Sequence, residues 1–281
     1  MNYIYRNLML RLYSNRFFTT VVLVLIVEYG MTMNLDKFMD DMNVKITPWM
    51  APHFFSNTVF VSLFSFILCY MFSDVPFMNK TELYWVLRLG RVKWCINKII
   101  VIIIQSFVFG IISMFGATVV FVPRLVLQNE WGKVIYTISN STEICIKYQI
   151  YASGSKKIIL NYTPLQAMGL CLLLIFLVSA FVGLLMFAVS LYSNRFCAVI
   201  VAMGLANIQL LLNYKPELMS LYYFSPFTWL LIGCLGERSF GEKFFPSISY
   251  VICSSTICIL ICIFFILIKI KRNEFDWYKE E

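Results

Sequence analysis

The chain has 281 residues, 60% of them hydrophobic and only 14% charged, with a net charge of +8. A mean hydropathy of +0.78 excludes an ordinary soluble globular domain and leaves no length for a large soluble domain beside membrane spans. Lys and Arg cluster at the ends of apolar runs, so the basic excess reads as membrane topology and not as a nucleic-acid patch.

Residues 1–16 read MNYIYRNLMLRLYSNR, with Arg6, Arg11 and Arg16 and no acid. Ile4, Leu8 and Leu12 recur at helical spacing, which predicts an amphipathic helix lying in the membrane interface, its arginines also orienting the first span. That span covers about 17–33. No signal-peptide cleavage pattern precedes it, so it is expected to be retained as an anchor. Glu28 falls towards its outer end and is a candidate intramembrane polar site, since a carboxylate in a span is costly, though less so near an interface. Residues 34–53 form an acidic outer loop with Asp36, Asp40 and Asp41, closed by Trp49 and His53 as interfacial residues. The second span covers about 54–72.

Between Ser73 and Lys98 lies the most polar stretch of the first half, carrying Lys80, Arg88, Arg91, Lys93 and Lys98 against only Asp74 and Glu82. A short basic loop between two spans is expected on the cytoplasmic side. It has the layout of a short helix capped by Thr81, with Leu83, Val86, Leu87 and Gly90 on one face and Lys80, Tyr84, Arg88 and Arg91 on an adjoining one. Such a helix can receive force from a soluble partner. The bland alternative is that its arginines only hold the loop inside.

The third span, about 99–122, offers Gly110, Ser113, Gly116 and Ala117 for close helix approach, and Pro123 ends it. Residues 124–164 make the longest loop. Its segments KVIYTIS, EICIKYQIY and KKIILNY alternate polar and apolar residues and are rich in β-branched ones, predicting a small β-containing extracellular cap. The fourth span covers about 165–192, with Ser179 and Gly183 at small-xxx-small spacing. A tight turn at Ser193, Asn194 and Arg195 leads to the fifth, about 196–212. The aromatic segment 213–246 is expected to dip into the outer boundary as a broken or re-entrant helix. The sixth span, about 248–268, is anchored by Lys269, Lys271 and Arg272. The expected fold is an all-α polytopic membrane protein: one transmembrane domain over 1–281, six spans and both termini cytoplasmic.

Nine cysteines are present and most lie inside apolar runs, where Cys behaves as a small hydrophobe. No C-x-x-C pair occurs. Cys145 and Cys234 alone fall in outer loops, where a disulfide between them stays open. No phosphate-cradling G-x-x-x-x-G-K-[ST], no H-E-x-x-H, G-x-S-x-G or G-x-G-x-x-G is found, and one histidine supplies neither a metal site nor a His-based triad. No paired carboxylates lie in mid-span, as a proton relay would require. The chain is therefore not expected to be an enzyme, with no catalytic residue, metal or cofactor of its own, and any energy for movement is expected from another chain.

Six spans, a basic amphipathic N-terminal helix and a basic helical loop between spans two and three resemble the permease subunit of an ABC-2 type exporter. RLGRVKWCINK (Arg88 to Lys98) is similar to that family's coupling helix leading into the membrane. YFSPFTW (Tyr223 to Trp229) resembles its Ser-Pro-aromatic stretch between spans five and six, while the long loop after span three departs from the commonest pattern. The resemblance implies a dimer with a second copy or a paralogue, each half docked on a cytoplasmic ABC ATPase that binds the ATP and Mg. It further implies that Lys80 to Trp94 docks in the ATPase, with Leu83, Tyr84 and Leu87 as apolar anchors and Arg88 and Arg91 pairing with acids or lipid phosphates. The cargo is expected to be amphipathic or hydrophobic: a peptide, a drug-like molecule or a lipid. Residue usage rich in Ile, Lys, Asn, Phe and Tyr points to a Gram-positive source, with the protein in the cytoplasmic membrane. The competing expectation is a non-transporting immunity or sensor component that binds a ligand through its outer loops.

Overall fold

The computed structural model describes residues 2–76, 82–151, 154–214, 216–236 and 245–272. They form an all-helical bundle, and among them there is no strand, only an isolated bridge between Ile46 and Leu125. In chain order the α-helices are α1 Asn2–Leu12, α2 Asn15–Thr32, α3 Leu35–Met42, α4 Ala51–Phe54, α5 Thr58–Met71, α6 Glu82–Leu89 and α7 Arg91–Val120. There follow α8 Gly132–Asn140, α9 Thr142–Tyr148, α10 Lys156–Asn161, α11 Pro164–Tyr192, α12 Arg195–Tyr214 and α13 Ile248–Arg272.

Four helices are long and apolar enough to cross a membrane: α7, α11, α12 and α13. A span needs about 20 residues, and α5 has 14. The pair α1 and α2 passes only together and is bent by 48°, at the turn where Ser14 Oγ accepts the Phe17 N–H and so starts α2 afresh. The described residues thus hold four spans, or five with the bent pair, against the six expected. The third expected span also begins earlier, because α7 starts at Arg91 and not at Ile99.

The core sits around α11, which packs against α7, α12 and α13. Of its apolar stretch, 72% is buried, against 28% for α12 and 22% for α13. This makes α11 the inner helix and the other two the periphery. Small residues set the spacing. Gly183 admits Phe72 and Ile102, and Gly110 lies against Leu172 and Ile175 of α11.

The expected β-containing cap at 124–164 is instead helical: KVIYTIS lies in α8, EICIKY in α9 and KKIILN in α10. Alternation over so few residues does not separate strand from helix, and burial decides it. Val134, Ile135 and Ile138 share the inner face of α8, and Ile158 is fully buried in α10. Arg124 answers the acidic helix α3 with ion pairs to Asp36 (3.2 Å) and Asp40 (3.1 Å), so the cap's basic charge is partly neutralised locally. Cys145 is not bonded to Cys234; its thiol points to the Ile138 carbonyl at 3.5 Å. His53 is buried at 1% exposure, its Nδ1 accepting the Ser155 N–H (3.0 Å) and its ring edge-on to Trp131.

Between α12 and α13, the described residues hold three short 3-10 segments, Pro216–Tyr223, Pro226–Leu230 and Ile232–Cys234. Phe227, Trp229, Leu230, Leu231 and Ile232 are buried, and Trp229 Nε1 donates to the Tyr222 carbonyl at 3.0 Å.

Candidate functional site

At the end of the bundle opposite the cap, α1, α6 and the start of α7 meet around two acidic residues that sequence reasoning counted only as dilution of the basic loop. Glu82, the first residue of α6, is 3% exposed. Its Oε2 accepts from Tyr3 Oη of α1 (3.0 Å) and from Trp94 Nε1 of α7 (2.7 Å), while its Oε1 pairs with Lys98 Nζ (3.0 Å). A buried carboxylate is stable only when its lone pairs are met in this way, so the burial of Glu82 itself demands the convergence of these helices. Trp85, one turn on, is covered by Tyr3 (rings 4.9 Å apart) and by the Arg6 guanidinium (4.5 Å to the ring).

Asp74, at the other end of the 75–81 connection, takes both terminal nitrogens of Arg11. Arg11 also donates Nε to Gln105 Oε1 (3.2 Å) and Nη2 to the Met71 carbonyl (2.9 Å). A planar fork with several donors suits such a site better than an ammonium would. Arg16 bonds Ser73 Oγ and lies 3.9 Å from Asp74. The three arginines of the N-terminal segment therefore do three jobs. Arg6 stacks on Trp85 from the exposed side, Arg11 turns inward and is 6% exposed, and Arg16 stays at the surface beside Ser73.

Of the expected docking residues, the structure brings some together and separates others. Tyr84 and Leu87 are 59% and 78% exposed, and Arg88 and Arg91 also face outward. Trp94 does not belong to that surface: it is fully buried, held by Glu82 and lying edge-on to Phe187. Nor do Val86, Leu87 and Gly90 share a face. Val86 points inward at 6% exposure, and Gly90, at φ +81°, is the break between α6 and α7. Lys80 and Thr81 lie outside the described residues, as does the side chain of Leu83.

Glu28 of α2 is buried at 1% exposure against α7, and neither carboxylate oxygen has a hydrogen bond among the described residues. The signal missed in the sequence was the acids themselves. Of the two carboxylates in a loop otherwise basic, Glu82 is buried among Tyr3, Trp94 and Lys98, and Asp74 is half-buried against the Arg11 guanidinium. Comparison with protein-family models, with curated proteins and with solved structures finds no match to this chain.

Proposed function

We propose that the chain is the membrane-spanning permease subunit of an ABC-2 type exporter, six-pass with both termini cytoplasmic, driven by a separate cytoplasmic ATPase that docks on α6. It would work as a dimer, with a second copy or a paralogue, and move an amphipathic or hydrophobic cargo. The observation that carries this reading is the division of α6 into two faces. Glu82 and Val86 tie one face to the bundle, while Tyr84 and Leu87 present large apolar surface, flanked by Arg88, at an end of the molecule otherwise rich in charge. Exposed apolar side chains rimmed by polar ones suit a protein contact. The test is capture. A cysteine at Tyr84 or Leu87 should crosslink to the co-expressed ATPase, and a cysteine that never does so overturns the reading.

A second reading, a non-transporting immunity or sensor component, has its own support at the opposite end. Leu127, Ile146 and Leu160 of the cap are 87%, 76% and 82% exposed, which suits a surface that binds a ligand. Ligand binding by the purified chain with no ATPase partner would favour it.

A further inference from the structure

We infer that Glu82 is the positioning residue that makes α6 and α7 turn as one lever, so that a push on the outer face of α6 reaches the bundle interior. The inference takes the source of that push from the docking reading above; the lever itself is a property of this chain alone.

The two helices meet at one residue, Gly90, whose φ of +81° a side chain rarely allows and around which a β-carbon would meet open space. The Gly90 N–H bonds back to the Val86 carbonyl and its carbonyl accepts the Trp94 N–H, so each bond stays within one helix and no side chain at the junction sets the angle between them. Along α6, Val86 is the one apolar side chain buried among the described residues, and apolar contact is non-directional. Direction comes from Glu82 at the far end of the helix. Its carboxylate reaches Trp94 in the first turn of α7 at 2.7 Å and Lys98 in the next turn at 3.0 Å. Gly90 is thus the apex of a triangle, α6 and the start of α7 are its sides, and Glu82 closes its base. Eight residues of helix make each arm about 12 Å long. Charge-assisted bonds out of water are short, directional and strong, so the base resists opening. Tyr3 adds α1 to the same carboxylate at 3.0 Å, bracing the triangle against the N-terminal helix. Without Glu82, α6 swings on Gly90 and a push at Leu87 is spent on that swing.

The experiment uses the full chain with its co-expressed ATPase in lipid vesicles, the accessible cysteines replaced, and spin labels at two pairs of positions. Labels at Leu87 and Ile111 read the α6–α7 angle. Labels at Ile111 and Ile200 read movement of α7 against α12 when ATP is added. The expected result is a single narrow α6–α7 distance that broadens in Glu82→Ala. The ATP-driven shift of the second pair should be lost in the same variant. Glu82→Asp, which keeps the charge and both acceptor oxygens on a shorter arm, should restore part of both. Capture of the ATPase by a cysteine at Tyr84 should be unchanged throughout. A narrow α6–α7 distance and an intact ATP-driven shift in Glu82→Ala overturn the inference. Should that variant fail to fold, Glu82→Gln, which keeps an acceptor for Tyr3 and Trp94 but no charge for Lys98, is read in the same way. Absence of capture at Tyr84 in the otherwise unaltered chain defeats the docking reading instead, and the Leu87–Ile111 distance still decides the lever.

Discussion

The Glu28 carboxylate of α2 rests directly against the backbone of Gly116 in α7, so close that a β-carbon at position 116 would overlap Oε2 and would sit 2.7 Å from Leu25 Cδ2. Alanine at a helix interior normally gains about 1 kcal/mol over glycine, whereas forcing atoms into a filled interior costs about 1–3 kcal/mol. With Glu28 and its surroundings buried, overpacking wins. Gly116→Ala should lower the thermal midpoint of the purified protein, and Glu28→Ala in the same chain should recover part of the loss. A midpoint raised by Gly116→Ala alone would show that the carboxylate swings aside freely.

The single histidine gives a pH dependence with a definite sign. Burial pushes the His53 imidazole down to about 4 from an ordinary 6.5. The unfolded chain takes up a proton near pH 6.5 and the folded chain does not until about pH 4, so stability present above pH 6.5 is lost as pH falls through that window. The gap corresponds to about 3 kcal/mol. His53→Asn keeps an acceptor for the Ser155 N–H but does not titrate. Denaturation midpoints measured from pH 7 to 4 should fall more steeply for the parent chain than for this variant, and parallel curves would count against the buried, neutral imidazole.

Arg11 and Arg124 both face two or more partners, yet they should differ sharply on removal. Arg11 is buried, and its loss leaves Asp74 and Gln105 without their donor, so Arg11→Ala should cost about 3 kcal/mol. Arg11→Lys should recover little, lacking the fork that reaches Asp74, Gln105 and the Met71 carbonyl together. Arg124 and its acids are well exposed, with side chains at 38%, 55% and 62%, so Arg124→Ala should cost about 0.5 kcal/mol. Unfolding titrations of the three variants check the order, and equal losses at the two sites would refute it.

The two faces of α6 are open to a chemical test that needs no partner. Cysteines placed at Tyr84 and Leu87 should react with a water-soluble maleimide in permeabilised membranes at rates near those of the denatured chain. A cysteine at Val86 should be protected until the protein unfolds. Equal reactivity at Val86 and Leu87 would mean that α6 does not rest on the bundle by the side described.

Much of the bundle was legible because long apolar runs have few ways to satisfy their backbone other than as helices. The runs that became α7, α11, α12 and α13 are of this kind, and so is the amphipathic pattern over residues 1–16. Shorter elements misled. Segments such as KVIYTIS carry β-branched residues in partial alternation, but their fate rests on which side chains find a core, and Ile135 and Ile138 find it on one helical face. The candidate surface on α6 was half legible. Tyr84 and Arg88 are exposed together, as their shared face implied, whereas Leu87 leaves the face it was expected to share with Val86. Trp94 is an interior residue because Glu82, twelve positions earlier, needs its N–H.

The sequence by itself determined a helical, membrane-type chain with a basic segment between apolar runs, because hydropathy and charge act locally and survive any folding. It also placed the arginines and the two acids in that segment. Only the tertiary structure decided that Asp74 and Glu82 are its anchors. Whether a carboxylate is solvated or buried depends on donors from elsewhere in the chain, here Tyr3 and Arg11 from α1 and Trp94 and Lys98 from α7. Burial then converts a weak surface charge into a directional bond.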